Sequence, residues 1–258
     1  MFRILRIAVL LAVLLVVVAN SWLTRARSTD WDDSLWVKIY PIDADGTPGT
    51  ADFIDGLHAG DFADLERFMA REAVRYGRIV DRPLRVEVGQ RVAAEPPVLG
   101  RDPNVLEIML WSLRMRWWVG SATDDQDAIE PDVSIFVRYH EAAGAVRLED
   151  SVGVQKGMFG IVNAYSGRRY RGPNNVIIAH ELLHTLGASD KYDLASGQPL
   201  APDGLADPGR KPLYPQSAAE IMGGRIALAP DDAVVPQSLE FVVIGPVTAA
   251  EIRLAGTR

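Results

Sequence analysis

Residues 180–190 read His180-Glu181-Leu182-Leu183-His184-Thr185-Leu186-Gly187-Ala188-Ser189-Asp190. Two histidines four positions apart lie one above the other on a helix face, so both imidazoles reach a single ion. Glu181 is offset round the helix and serves poorly as a third ligand. It reaches a water held by that ion, which is where a general base belongs. Val176, Ile177, Ile178, Ala179, Leu182, Leu183 and Leu186 make this helix apolar nearly all round, hence buried. Two imidazoles and a carboxylate are costly in such a place unless something compensates them, and a metal ion does so. The competing reading is a pair of core histidines satisfied by hydrogen bonds, with Glu181 facing solvent. Gly187, lacking a Cβ, permits the left-handed turn that ends a helix, and Asp190 then returns a carboxylate towards the ion. Two nitrogens, one oxygen and an open fourth position make a catalytic zinc arrangement.

HELLHTLGASD resembles the extended zinc signature of metzincin metallopeptidases, and most closely the members with aspartate in third place, the snapalysin-like bacterial enzymes included. Downstream, Ala219-Glu220-Ile221-Met222-Gly223 is similar to the family's methionine turn. The resemblance spans residues 174–224. It implies one Zn2+ held by His180, His184 and Asp190, with Met222 beneath it and Glu181 as the base that activates a zinc-held water. The implied activity is that of a zinc-dependent endopeptidase acting on extracytoplasmic proteins or peptides. The alternative class is a zinc-binding, non-proteolytic, membrane-tethered binding or adaptor module. Members with a tyrosine two residues after the turn methionine can use it on the oxyanion. Here that position is Gly224, which leaves Tyr192 or Tyr214 as substitutes. Asp193 and Glu220 are reserve ligands, while His58 and His140 have no partner spacing. Family architecture also implies that Met158–Tyr165, with Phe159, Gly160 and Ile161, takes an extended peptide as an added edge strand.

The elements that must position this stretch read as one α/β (α+β) domain over 35–258. The resemblance implies a twisted mixed sheet packed on helices, with 35–187 as an upper subdomain and 188–258 as a smaller, irregular lower one. Strands are expected at Ser34–Ile42, Leu84–Val88, Val133–Tyr139 and Met158–Tyr165, from their β-branched and aromatic content and alternation. Asp43-Ala44-Asp45-Gly46 reads as a turn, since the later ligands of a calcium loop are missing. A helix over Asp61–Gly77 carries Phe62, Leu65, Phe68, Met69, Ala73 and Tyr76 at helical spacing, with Asp61 as its cap. Asn104 and Glu107 form a capping box for a second helix, whose apolar face is read as Leu106, Leu110, Leu113 and Trp117. Trp111, Trp117 and Trp118 read as core and rim packing. Asn174 or Asn175 caps the helix of the histidines. Residues 195–218 hold prolines at 199, 202, 208, 212 and 215 without periodicity, so they form a long irregular loop. Thr248 and Glu251 signal a capped terminal helix.

The chain of 258 residues has a net charge of −7, and no Lys/Arg run occurs beyond residue 27, which excludes a nucleic-acid partner. With no cysteine there is neither a disulfide framework nor a thiolate ligand. Arg3 and Arg6 precede the apolar run Ile7–Ala19. Residues 1–27 are therefore read as a signal-anchor over 4–23, or a signal peptide, followed by a polar tether at 28–34. Either places the domain outside the cytoplasm, anchored in the membrane or secreted.

Overall fold

The computed structural model describes residues 31–100, 104–123, 130–142 and 158–255, together with the backbone of 152–154. Its centre is a five-stranded sheet of β1 (Leu35–Asp43), β2 (Leu84–Val88), β3 (Val133–His140), β4 (Val152–Val154) and β5 (Phe159–Tyr165), in the order β2-β1-β3-β5-β4. The first four in that order run parallel, and β4 is antiparallel along β5. The chain is thus mixed α/β, as its alternation of elements implies.

Among the described residues four helices accompany the sheet: α1 (Pro48–Asp55), α2 (Ala63–Arg75), α3 (Val105–Ala122) and α4 (Arg171–Leu186). The strand period of two sorts side chains to opposite faces. Val37, Ile39, Val133, Ile135, Val137, Val162 and Ala164 join the core that α2 and α4 complete through Leu65, Phe68, Ile178 and Leu182. Tyr40, Phe136 and Phe159 face the other way and pack on Met115 and Trp118 of α3. After α4 the chain is mostly irregular, with short strands β6 (Ala219–Glu220), β7 (Ile226–Ala229), β8 (Asp232–Val234) and β9 (Val242–Val243), then helix α5 (Pro246–Glu251). Arg71, Arg75 and Tyr76 of the α2 region tie this last part down by donating to the carbonyls of Leu239, Val242 and Ile244.

Several expectations need correction. β5 is not an edge strand, because β3 pairs with one side of it and β4 with the other. An incoming peptide therefore has no free ladder on Phe159, Gly160 or Ile161, and β4 occupies the sheet edge. The face of α3 that meets the core is Met115, Trp118 and Ala122, whereas Leu106, Leu110, Leu113 and Trp117 are exposed. Asp61 does not cap α2. It lies in a 3-10 turn over Ala59–Phe62 and accepts the N–H of His58. Helix α4 begins at Arg171, ahead of both asparagines. Asn174 instead donates to the carbonyl of Tyr165 at 2.9 Å, and Asn175 to that of Asp61 at 3.0 Å. The expectation of a transmembrane helix is likewise corrected. Among the described residues no helix is long and apolar enough to cross a membrane, and segment 4–23 lies outside them.

Candidate metal centre

Helix α4 carries His180, Glu181 and His184 along its last two turns, and the left-handed Gly187 (φ +107°) ends it. The N–H of Gly187 reaches the carbonyl of His184 at 3.1 Å, and that of Ala188 reaches Leu183 at 3.0 Å, so the chain folds back on the helix. This reversal brings Asp190 onto the histidines. Its Oδ1 stands 3.2 Å from His180 Nε2 and 3.1 Å from His184 Nε2, and the two Nε2 atoms are 3.1 Å apart. The three atoms form a nearly equilateral triangle. Ligands about 2.0–2.1 Å from one tetrahedral ion lie about 3.3 Å from one another, so the set fits with only a small spread.

The tautomers agree with this. His180 Nδ1–H donates to the carbonyl of Ile221 and His184 Nδ1–H to that of Ala188, each at 2.9 Å. Both Nε2 atoms face a carboxylate oxygen, and either a proton on one of them or a cation held between them relieves the contact. Between the chain's own groups the electrostatics favours a proton at this contact. Burial opposes charge on His184, yet Asp190, the Ala188 carbonyl and Glu181 together hold its pKa above the ordinary value. Burial likewise works against the Asp190 carboxylate, and the two imidazoles outweigh it, holding its pKa well below the usual carboxylate range.

Glu181 is buried, and one of its carboxylate oxygens and one ring nitrogen of each histidine all lie within 4.8 Å of one another. Gly160 of β5 lies beside it, with its tight approach made to Ile135. A Cβ at Gly160 would sit 3.0 Å from Ile135 Cδ1 and 3.7 Å from Glu181 Cβ. Gly160 therefore adjoins the general-base candidate, whereas Phe159 is buried and Ile161 half-buried on the α3 side.

Met222 is fully buried in the turn whose neighbouring carbonyl, that of Ile221, holds His180. Glu220 makes that turn. Its Oε2 accepts the N–H groups of Met222 and Gly223 at 2.7 and 2.8 Å. Its Oε1 accepts that of Gly245 at 3.0 Å and the Thr248 hydroxyl at 2.7 Å. Glu220 is thus a structural acceptor, not a reserve ligand, and Thr248 braces it from inside α5 rather than capping that helix. Asp193 is no ligand either: it accepts the backbone N–H and hydroxyl of Ser196 in a turn of its own. The Tyr192 ring centroid is 6.3 Å from that of His180, while Tyr214 makes no ring contact or hydrogen bond with the histidines. His58 pairs with Asp61 at 2.7 Å and His140 lies 3.3 Å from Asn163 Oδ1, both away from the centre.

Sequence reasoning missed one supporting group. Glu251 accepts the Ser189 N–H and hydroxyl at 3.1 and 2.6 Å and the Lys191 ammonium at 2.7 Å. It therefore grips the chain on both sides of Asp190. No local pattern announces this, since the partners lie about sixty residues apart in sequence.

No family model matches the chain, and no curated protein matches it either.

Proposed function

We propose that this protein is a zinc-dependent peptidase of metzincin type that hydrolyses internal peptide bonds. One observation carries the reading: His180 Nε2, His184 Nε2 and Asp190 Oδ1 converge at 3.1–3.2 Å with both Nδ1 protons held elsewhere, beside a buried Glu181. The turn at Gly187 and the buried Met222 support the same family reading, as does the antiparallel β4 at the outer side of β5.

His180, His184 and Asp190 would hold the ion. When bound, it would supply Lewis-acid polarisation of a carbonyl and make a water acidic enough to ionise near neutral pH. The residues of the chain do the rest. The carbonyls of Ile221 and Ala188 fix both imidazoles in the Nδ1–H tautomer. Glu181 takes the proton from the attacking water and returns it to the leaving amine, so one carboxylate serves as base and then acid. Tyr192 is the nearer of the two tyrosine candidates for contact with the substrate.

The test is zinc content together with cleavage of a denatured protein and of a peptide library by the purified chain. Stoichiometric zinc with chelator-sensitive cleavage is expected. Zinc without cleavage of any substrate would instead favour the non-proteolytic adaptor.

A further inference from the structure

Helix α3 meets the sheet along the narrow line Met115, Trp118 and Ala122. On another side, Leu106, Leu110, Leu113 and Trp117 are 64%, 46%, 64% and 78% exposed. A contiguous apolar stripe of this kind on a protein surface marks an interaction site. Its spacing of four, three and four residues is that of alternating d and a positions in a heptad repeat, the pattern of a helix that pairs with another helix.

The flanks of the stripe select the occupant. With Leu106 and Leu113 at d, Glu107 and Arg114 both fall at e, on the same side, and both are exposed. When two such helices pair antiparallel, the e positions of one face those of the other. Glu107 of each copy then meets Arg114 of its mate, and the pairing repeats through a two-fold axis near the middle of the helix. A parallel pair would set Arg114 beside Met109 and give Glu107 no basic neighbour. A lipid surface fits less well, because the chain carries net charge −7 and an acidic residue borders the stripe.

We propose that α3 is the contact of a two-fold symmetric homodimer, in which the Leu106–Trp117 stripe packs antiparallel on the same stripe of a second copy. The register follows from the pattern. Leu106 lies opposite Trp117, and Leu110 opposite Leu113.

The absence of cysteine makes the test direct. In the full chain, Leu106→Cys and Trp117→Cys are made separately and oxidised mildly, alone and mixed. The antiparallel register joins the two variants to each other. It leaves each unable to join itself, because like positions are about 16 Å apart along the helix, well beyond disulfide reach. Arg114→Glu should weaken self-association about tenfold in sedimentation equilibrium. Adding Glu107→Lys should restore it; the substitution gives up the Asn104 N–H bond to the Glu107 carboxylate at 2.9 Å, while Asn104 still caps the helix through the residue 107 N–H at 3.0 Å. Circular dichroism verifies that each variant is folded. Efficient self-crosslinking of either cysteine variant would overturn the antiparallel arrangement. A wild-type chain that sediments as a monomer at about 100 µM would overturn the dimer, and flotation of that monomer with phosphatidylcholine vesicles that Leu113→Glu abolishes would assign the stripe to lipid instead.

Discussion

Ser189 and Glu251 are joined twice, through the backbone N–H and the hydroxyl of the serine, although sixty-two residues separate them. The bond fixes the residue just before Asp190, and Lys191, just after it, closes on the same carboxylate. Burial works against the charge on Glu251, but Lys191 and Ser189 overcome it, and its pKa lies below the ordinary value. A carboxylate ligand on an irregular loop is only as well placed as its flanks. Glu251→Ala should therefore weaken zinc binding on the order of tenfold, and Glu251→Gln, which keeps one acceptor oxygen for Ser189, should do less. Competition with a chromophoric chelator measures both, and equal affinities across the three proteins would remove Glu251 from the support of the site.

Glu181→Gln separates binding from chemistry. The variant should retain near-stoichiometric zinc while peptide hydrolysis falls by about a hundredfold or more. Activity close to wild type would mean that another group handles the proton.

Asp190 and Asp193 offer a paired comparison. Only Asp190 reaches the histidines, so Asp190→Ala should lose most bound zinc and Asp193→Ala almost none. Asp190→His should hold the ion if the chain leaves Gly187 along the path described. Atomic emission on the purified proteins decides the order, and the reverse order would refute the ligand set.

Glu220 is fully buried and accepts four hydrogen bonds. Removing it strands four buried donors, so Glu220→Ala should cost at least about 3 kcal/mol of folding stability. Urea unfolding reports this directly. A change of under about 1 kcal/mol would show that water or a shifted side chain replaces the carboxylate.

Asp45 predicts a pH dependence. Burial acts against its charge, but the N–H groups of Glu141 and Thr47 and the Thr47 and Thr50 hydroxyls prevail and lower its pKa to about 2. A depressed carboxylate contributes stability above its unfolded pKa of 3.8, and that contribution fades as pH falls towards 2. The thermal midpoint of Asp45→Asn should lie slightly below that of wild type at pH 6, with the two converging between pH 4 and 2. A constant gap across that range would exclude the linkage.

What the sequence disclosed follows from the range of the forces involved. The histidine pair, the Gly187 turn and the Asn104–Glu107 capping box are local, and each has the geometry its residue types dictate. The strands announced themselves through β-branched runs, but their order did not, so β5 was read as an edge when β4 covers it. Helix α1, β4 and the β7–β8 hairpin lacked a usable period. On α3 the apolar residues spread over more than one face, and periodicity alone selected the stripe that turned out to be exposed. Glu220 and Glu251 were opaque because a buried carboxylate is explained by its partners, and those are distant in sequence.

The bracing of the centre by α5 also bears on when a nascent chain becomes competent. The histidines leave the ribosome long before Thr248 and Glu251, which steady the Met222 turn and the Asp190 loop. During synthesis the two imidazoles therefore spend an interval without a steadied Asp190 beside them, and the arrangement of His180, His184 and Asp190 is complete only when the final helix docks.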